Sequence, residues 1–156
     1  EKMDKEEYEH HKWEHNLLTD ESKKYLNNLP LFKEIIIGKY KILLIHYFLD
    51  DNQKYINIMK DYLEFNVKDK EYDIIIFGHD HRRIIQKINN TLLINPGSLG
   101  CPSKEKNIAR GLILDINEDI FIKEINFDYD VNKVIDEMNK LNYPSKDTIK
   151  KYFYGI

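Results

Sequence analysis

The chain has 156 residues, 42% hydrophobic and 33% charged, with a net charge of −3 and a single cysteine, Cys101. A chain of this length buries roughly 70% of its unfolded surface, enough for one domain with a true core, and the mixture excludes a disordered or fibrous protein. No apolar run approaches the ~20 residues that span a bilayer, the mild acidic balance gives no strong nucleic-acid signal, and one cysteine excludes a disulfide framework or a cysteine-rich zinc site.

A lone thiol suits a reducing compartment, so a cytoplasmic protein is expected. The chain begins at Glu1 with neither an initiator methionine nor a targeting segment. It therefore reads as starting inside a longer frame.

Residues 1–30 are polar and helix-prone. Tyr8, Trp13, Leu17 and Leu18 form a thin apolar stripe, and a second helix is expected to start at Thr19 or Asp20, where the side chain caps free N–H groups, and to stop before Pro30. The period then changes. Glu34 to Ile37 and Tyr40 to His46 read as two strands about Gly38-Lys39, the second apolar almost throughout, as suits a strand covered on both faces. Residues 52–66 are predicted to be helical, with Tyr55, Ile58, Met59, Tyr62 and Leu63 on one face.

Asp73 to Phe77 reads as a short buried strand ended by Gly78. Hairpins follow about Asn89-Asn90 and about Asn117-Glu118-Asp119, and helices are expected over Asp130 to Leu141 and from Ser145 to about Phe153. Strands in the middle with helices around them indicate an α/β layered domain.

The six histidines divide into two kinds. His10, His11 and His15 lie on the charged N-terminal helix and read as a solvated face. His46, His79 and His81 each lie just past the end of a buried apolar strand. In open α/β sheets, sites form beyond the carboxyl ends of parallel strands, so parallel neighbours would bring these three imidazoles together. Imidazole suits Zn, Mn, Fe or Ni, and His46, His79 and His81 are expected to be metal ligands. Asp50, Asp51 and Asp80 are the carboxylates near them. Arg82 and Arg83, two of only three arginines, follow directly. Guanidinium pairs with phosphate in bidentate fashion, and strand alternation allows at most one of the two to point at a site. In Asn95-Pro96-Gly97-Ser98, Asn95 and Ser98 offer polar groups on a tight turn.

The strand ending in His46, then Gly78-His79-Asp80-His81, then Ile94-Asn95-Pro96-Gly97-Ser98, in that order, resembles the calcineurin-like metallophosphoesterases, and within them the small bacterial phosphodiesterase-like branch. The resemblance covers Leu43 to Gly100 by motif, and the trailing hairpin and the helix after Tyr129-Asp130 extend it over most of the chain. It implies a β-sandwich flanked by helices, with two divalent ions (Mn, Fe, Zn or Ni) at the sheet edges. It implies that His46 and His79 bind one ion and His81 the other, and that Asn95 to Ser98 form the loop beside the site. By their own chemistry Asn95, Ser98 and Arg82 are expected as substrate contacts, although Arg82-Arg83 stands where a small hydroxyl residue and proline are common in the family. The family's opening motifs, Asp-x-His, Gly-Asp and Gly-Asn-His, do not occur before His46, and Tyr47 stands where glycine is usual. Residues 1–156 are thus expected to form a single domain equal to the C-terminal two-thirds of the family domain, without its N-terminal strands, its bridging carboxylate or an identifiable general acid.

The expected activity is metal-dependent hydrolysis of a phosphomonoester or phosphodiester by a metal-bound hydroxide, possessed by the longer protein and absent from this chain alone. The alternative is a binding module that uses the same fold as a non-catalytic scaffold and offers its tyrosine-rich surface to partners.

Overall fold

The computed structural model describes residues 4–50, 52, 54–56, 72–101 and 107–156. These fall into two compact units, one drawn from Leu31–Cys101 with Ile108–Phe127, the other from Glu1–Pro30, Pro102–Asn107 and Asp128–Ile156. Together they make the mixed α/β architecture that the alternation of apolar runs implies.

In the first unit, β1 (Phe32–Ile37), β2 (Tyr40–Ile45), β5 (Ile74–Ile76), β7 (Thr91–Pro96) and β6 (Arg83–Ile88) form a five-stranded sheet in the order β1-β2-β5-β7-β6. Both edges are tight hairpins. Gly38 supplies a φ of +58° between β1 and β2, and Asn89 takes +54° between β6 and β7, a conformation asparagine tolerates better than most side chains. The three central strands run parallel, with Leu44, Ile76 and Ile94 level across the sheet. Strands sandwiched on both faces need apolar residues at every position, and this is why Ile42-Leu43 and Ile74-Ile75 are buried as consecutive pairs.

Each face has its own core. Ile42, Ile74 and Ile94 point to the side where Leu112, Leu114 and Ile122 pack, from the two-stranded sheet of β8 (Ile108–Ile116) and β9 (Ile120–Asp128). Leu43, Ile75, Phe77 and Leu93 point to the other. Two packed sheets give the expected sandwich. Tyr72, just before β5, is buried and donates its hydroxyl to the Glu34 carboxylate on β1; burial first, and then that bond, push its pKa up to about 12.

Arg83 fastens the sandwich at one edge. Its guanidinium reaches Glu124 (2.6 Å), the Gly111 carbonyl (2.9 Å) and the Ile125 carbonyl (2.8 Å), and its Nε donates to the Pro96 carbonyl (3.4 Å). We expect Arg83→Ala to cost about 2 kcal/mol in urea unfolding, because half-buried carbonyls lose a charged donor. Glu124→Gln should cost less than ~0.5 kcal/mol, since exposed ion pairs contribute little. Equal effects would show that the ion pair, not the carbonyl contacts, fastens the edge.

A small third sheet pairs β3 (Phe48–Leu49) with β4 (Tyr55–Ile56), antiparallel, with Phe48 opposite Ile56 and Leu49 opposite Tyr55. Here the expected helix over 52–66 is corrected at its start. Asp50 Oδ1 accepts the N–H groups of Asn52 and Lys54, both at 2.8 Å, and its own N–H donates to the Lys54 carbonyl. That carboxylate folds the chain back on itself before a helix can begin. The remainder of the expected helix, from residue 57, lies outside the described residues, as does Asp51.

The second unit is helical. α1 (Lys5–Leu17) is capped by Asp4, whose side chain accepts from the Glu7 N–H, and α2 (Asp20–Asn27) by Thr19, which accepts from the Ser22 N–H. α3 (Val131–Lys140) is capped by Asp130, and α4 (Lys146–Ile149) continues into a wider π-type turn over Lys150–Tyr154. One histidine departs from the expected solvated face. His10 is half-buried: its Nδ1 lies 3.3 Å from the Pro144 carbonyl, and its Nε2 lies 3.2 Å from the Tyr143 hydroxyl and 3.1 Å from Glu14. A stripe too thin to bury Tyr8 and Leu17, which stay exposed, still docks through this polar contact and the edge of Trp13 on Tyr143. Among the described residues no helix is long and apolar enough to cross a membrane.

Candidate functional site

Because β2 and β5 are parallel neighbours with Leu44 level with Ile76, residues two positions further on, His46 and Gly78, emerge side by side at their carboxyl ends. The Gly78 N–H donates to the His46 carbonyl at 3.0 Å, so the pairing runs on past the regular strands. The imidazole of His46 lies directly on Gly78: a β-carbon there would stand 2.9 Å from its Nδ1. Only glycine admits the ring in this place.

After Gly78 the chain makes two successive three-residue turns. Asp80 N–H donates back to the Gly78 carbonyl (2.9 Å) around His79, and Arg82 N–H to the Asp80 carbonyl (2.7 Å) around His81. Their central residues have φ of +71° and +56°. Turns of this kind are rare and strained for residues with a side chain, and such strain concentrates at functional sites. The result is that His79 and His81, odd-numbered neighbours of one loop, are both carried past the sheet edge.

The His46 and His79 rings stand edge to face with centroids 5.7 Å apart. Partial desolvation of the His46 ring, and then the neighbouring His79 and His81, lower its pKa below 6.5. At neutral pH His46 is therefore an uncharged imidazole, the form that ligates metals. With metal–nitrogen bonds of about 2.0–2.1 Å, two imidazoles sharing one ion have centres roughly 5 Å apart, so this pair needs only a small adjustment. His81 is close enough for His46 to feel its charge. Among the described residues, however, no three histidine, cysteine or acidic side chains close around one point. The donor set thus fits a borderline divalent ion in its chemistry and in the His46–His79 pair, without a bridging carboxylate. Asp50 is engaged in its own turn, and Asp80 lies between the two histidines in the sequence.

The remaining residues sort themselves by burial. Asn95, expected as a substrate contact, is instead fully buried at 0% exposure. Its Nδ2 donates to the Gly78 carbonyl (3.0 Å) and its Oδ1 accepts from the Gly97 N–H (2.9 Å), so it ties two loops together and does not face solvent. Ser98 uses its Oγ to accept the Cys101 N–H, and its carbonyl accepts from Arg110. Of the arginines, Arg83 turns inward as described, while Arg82 is exposed beside His81. This is the alternation expected of adjacent residues.

Two residues at the site escaped the sequence reading. Tyr47 and Tyr55 stand against the His79 ring, with centroids at 5.3 and 4.4 Å, and Tyr47 also meets His46 at 5.4 Å. In the sequence Tyr47 is marked only as a departure from glycine, and Tyr55 only as part of a helical face.

A family model described as the calcineurin-like phosphoesterase superfamily domain matches residues 3–119. A probable metallophosphoesterase of Mycoplasma genitalium is 38% identical over 65 residues, 40% of this chain and 40% of that protein. An uncharacterized protein of Methanocaldococcus jannaschii is 27% identical over 149 residues, 85% of this chain and 59% of that one. The chain thus spans 40% and 59% of the lengths of these two relatives. In structure it is similar to a metallophosphoesterase from Sphaerobacter thermophilus, with a TM-score of 0.70 and 17% identity over 93% of this chain and 67% of that one, a likeness of fold.

Proposed function

Since the chain belongs to the calcineurin-like phosphoesterase superfamily, by a match to that family's domain over residues 3–119, we propose that it carries part of a metal-dependent phosphoesterase site, with His46, His79 and His81 as the ligands and Arg82 as a phosphate contact. The observation that carries this reading is the edge-to-face pair of His46 and His79, 5.7 Å apart at the level ends of two parallel strands. The family match runs through both compact units, which supports reading residues 1–156 as parts of one such domain.

The chain's own groups divide the work. His46, kept neutral, and His79 present nitrogen lone pairs, while the two strained turns aim His79 and His81 away from the sheet. The Arg82 guanidinium, which among the described residues makes no hydrogen bond or ion pair, can take two phosphoryl oxygens in its fork. A divalent ion bound there would supply Lewis-acid charge to a phosphoryl oxygen. Asn95 and Gly78 hold the floor beneath the imidazoles.

Calorimetric titration with Mn²⁺ and Zn²⁺, together with hydrolysis of bis(p-nitrophenyl) phosphate by the longest form of the protein, tests this. His79→Ala and His81→Ala should each weaken metal binding at least ~10-fold and remove Mn²⁺-stimulated hydrolysis, and Arg82→Ala should raise KM with metal affinity unchanged. Unchanged metal affinity in His79→Ala would end the ligand assignment.

A further inference from the structure

The β3–β4 hairpin is too short to stabilise itself, yet its geometry is specific. Phe48 and Ile56 are cross-strand partners. Phe48 packs on the core cluster of Leu43 and Phe77, and Ile56 is 8% exposed. Side chains alternate along a strand. Tyr47, Leu49 and Tyr55 therefore share the opposite face, and there the two tyrosine rings meet His79. His79 needs such support. It is exposed, it sits on a turn with φ of +71°, and an imidazole in that position has free rotamers unless something stands beside it. Tyr55 at 4.4 Å, Tyr47 at 5.3 Å and the edge of His46 at 5.7 Å stand against it.

We propose that Tyr47 and Tyr55 are positioning residues that fix the His79 imidazole in its ligating orientation, and that the Asp50-nucleated hairpin serves to deliver them. The role assigned to them runs through His79, whose ring they contact. The inference rests on the reading of His79 as a ligand. It goes beyond that reading by assigning the ring's orientation to residues outside the motif. The contacts with His79 are made by the rings, tilted by 59° for Tyr47 and 46° for Tyr55, so phenylalanine should keep the support they give.

Two readouts on the 156-residue chain test it: the His79 ring-proton shifts by NMR without metal, and Zn²⁺ affinity by calorimetry. Tyr55→Leu should move the His79 resonances toward those of a histidine with no aromatic neighbour and weaken Zn²⁺ binding about 10–20-fold, at the low end of what losing a ligand's supporting partner costs. Tyr47→Leu should do the same more weakly. Tyr55→Phe should match the unsubstituted chain in both readouts. Asp50→Ala, which opens the turn, should reproduce Tyr55→Leu without touching either ring. Leucine variants with unchanged His79 shifts, or with unchanged Zn²⁺ affinity while His79→Ala loses it, would overturn the positioning role alone. A His79→Ala chain that keeps its Zn²⁺ affinity would overturn the ligand reading and this inference together.

Discussion

Replacing Gly97 with alanine is expected to destabilise the sheet-bearing unit by about 3–4 kcal/mol, lowering its Tm by roughly 6–15 °C. Two costs combine. Gly97 has a φ of +91°, a region that an L side chain occupies only under strain of about 1–3 kcal/mol. Its new β-carbon would also stand 2.8 Å from Arg110 Cβ and 3.2 Å from Arg110 Cδ. A long side chain could swing its tip aside, but a Cβ moves only with its backbone. The Arg110 backbone is held in β8, with its N–H on the Ser98 carbonyl at 2.9 Å.

Nor can the loop retreat cheaply in the other direction. The Gly97 N–H is bonded to Asn95 Oδ1, and Asn95 is fully buried with its amide on Gly78. A shift of Gly97 therefore pulls on a buried amide whose loss costs about 1–3 kcal/mol, and through it on the floor under His46. Gly100→Ala is the matching control: an added β-carbon meets nothing within 4 Å there, and the change should stay within ~0.5 kcal/mol. Urea unfolding of the two variants side by side decides the matter. A Gly97→Ala chain within 1 kcal/mol of the parent would mean that the loop is free to move and that the Asn95 bridge is not rigid.

What could be read from the sequence was whatever a short stretch decides by itself. The unbroken apolar runs ending at Ile45 and Phe77 specify strands covered on both faces, and such strands place their following residues at one sheet edge. That is how His46 and His79 could be expected together before any coordinates. Gly38 and Asn89 announce their turns through backbone conformations that few other residues accept, and Thr19 announces a helix start through its hydroxyl.

The misreadings have a common cause. Tyr55 and Ile56 carry spacings that suit a helix or a strand equally. The decision was made by the Asp50 carboxylate reaching two N–H groups at 2.8 Å, a contact that composition does not reveal. Asn95 and Ser98 look alike in a polar loop, yet one is buried between the Gly78 carbonyl and the Gly97 N–H, and the other is half-buried with its Oγ accepting the Cys101 N–H. Likewise Arg82 and Arg83 are identical in type. Alternation alone shows that they part company, and only the position of β9 shows which one turns inward. The placement of Tyr47 and Tyr55 on His79 needs all of these decisions at once, so no local pattern pointed to it.

Gly78→Ala should separate the site from the fold. Gly78 does not have a positive φ, so alanine suits its backbone, and stability should change by less than ~1 kcal/mol. The obstacle is the His46 ring, 2.9 Å away at Nδ1 and 3.1 Å at Cε1. Unlike Arg110 Cβ, this is the mobile end of a solvent-facing side chain, and it can swing out. Doing so takes it from its edge-to-face contact with His79, and metal affinity should fall about 10–100-fold.

The same movement has a signature in pH. His46 has its pKa held below 6.5 by partial desolvation and by His79 and His81. The native state thus declines a proton that the unfolded chain accepts, and stability from this source is lost as pH falls below 6.5 and is complete above it. With the ring swung out, its pKa should rise toward 6.5, the acid-side loss of stability should shrink, and protons should compete with metal from a higher pH. NMR titration of His46 in the two chains measures the shift directly. The double variant closes the test: in a His46→Ala background, Gly78→Ala should have no further effect on metal affinity, because the group it displaces is gone. Additive losses in that cycle would place the effect of the methyl group elsewhere, on the strained turn around His79.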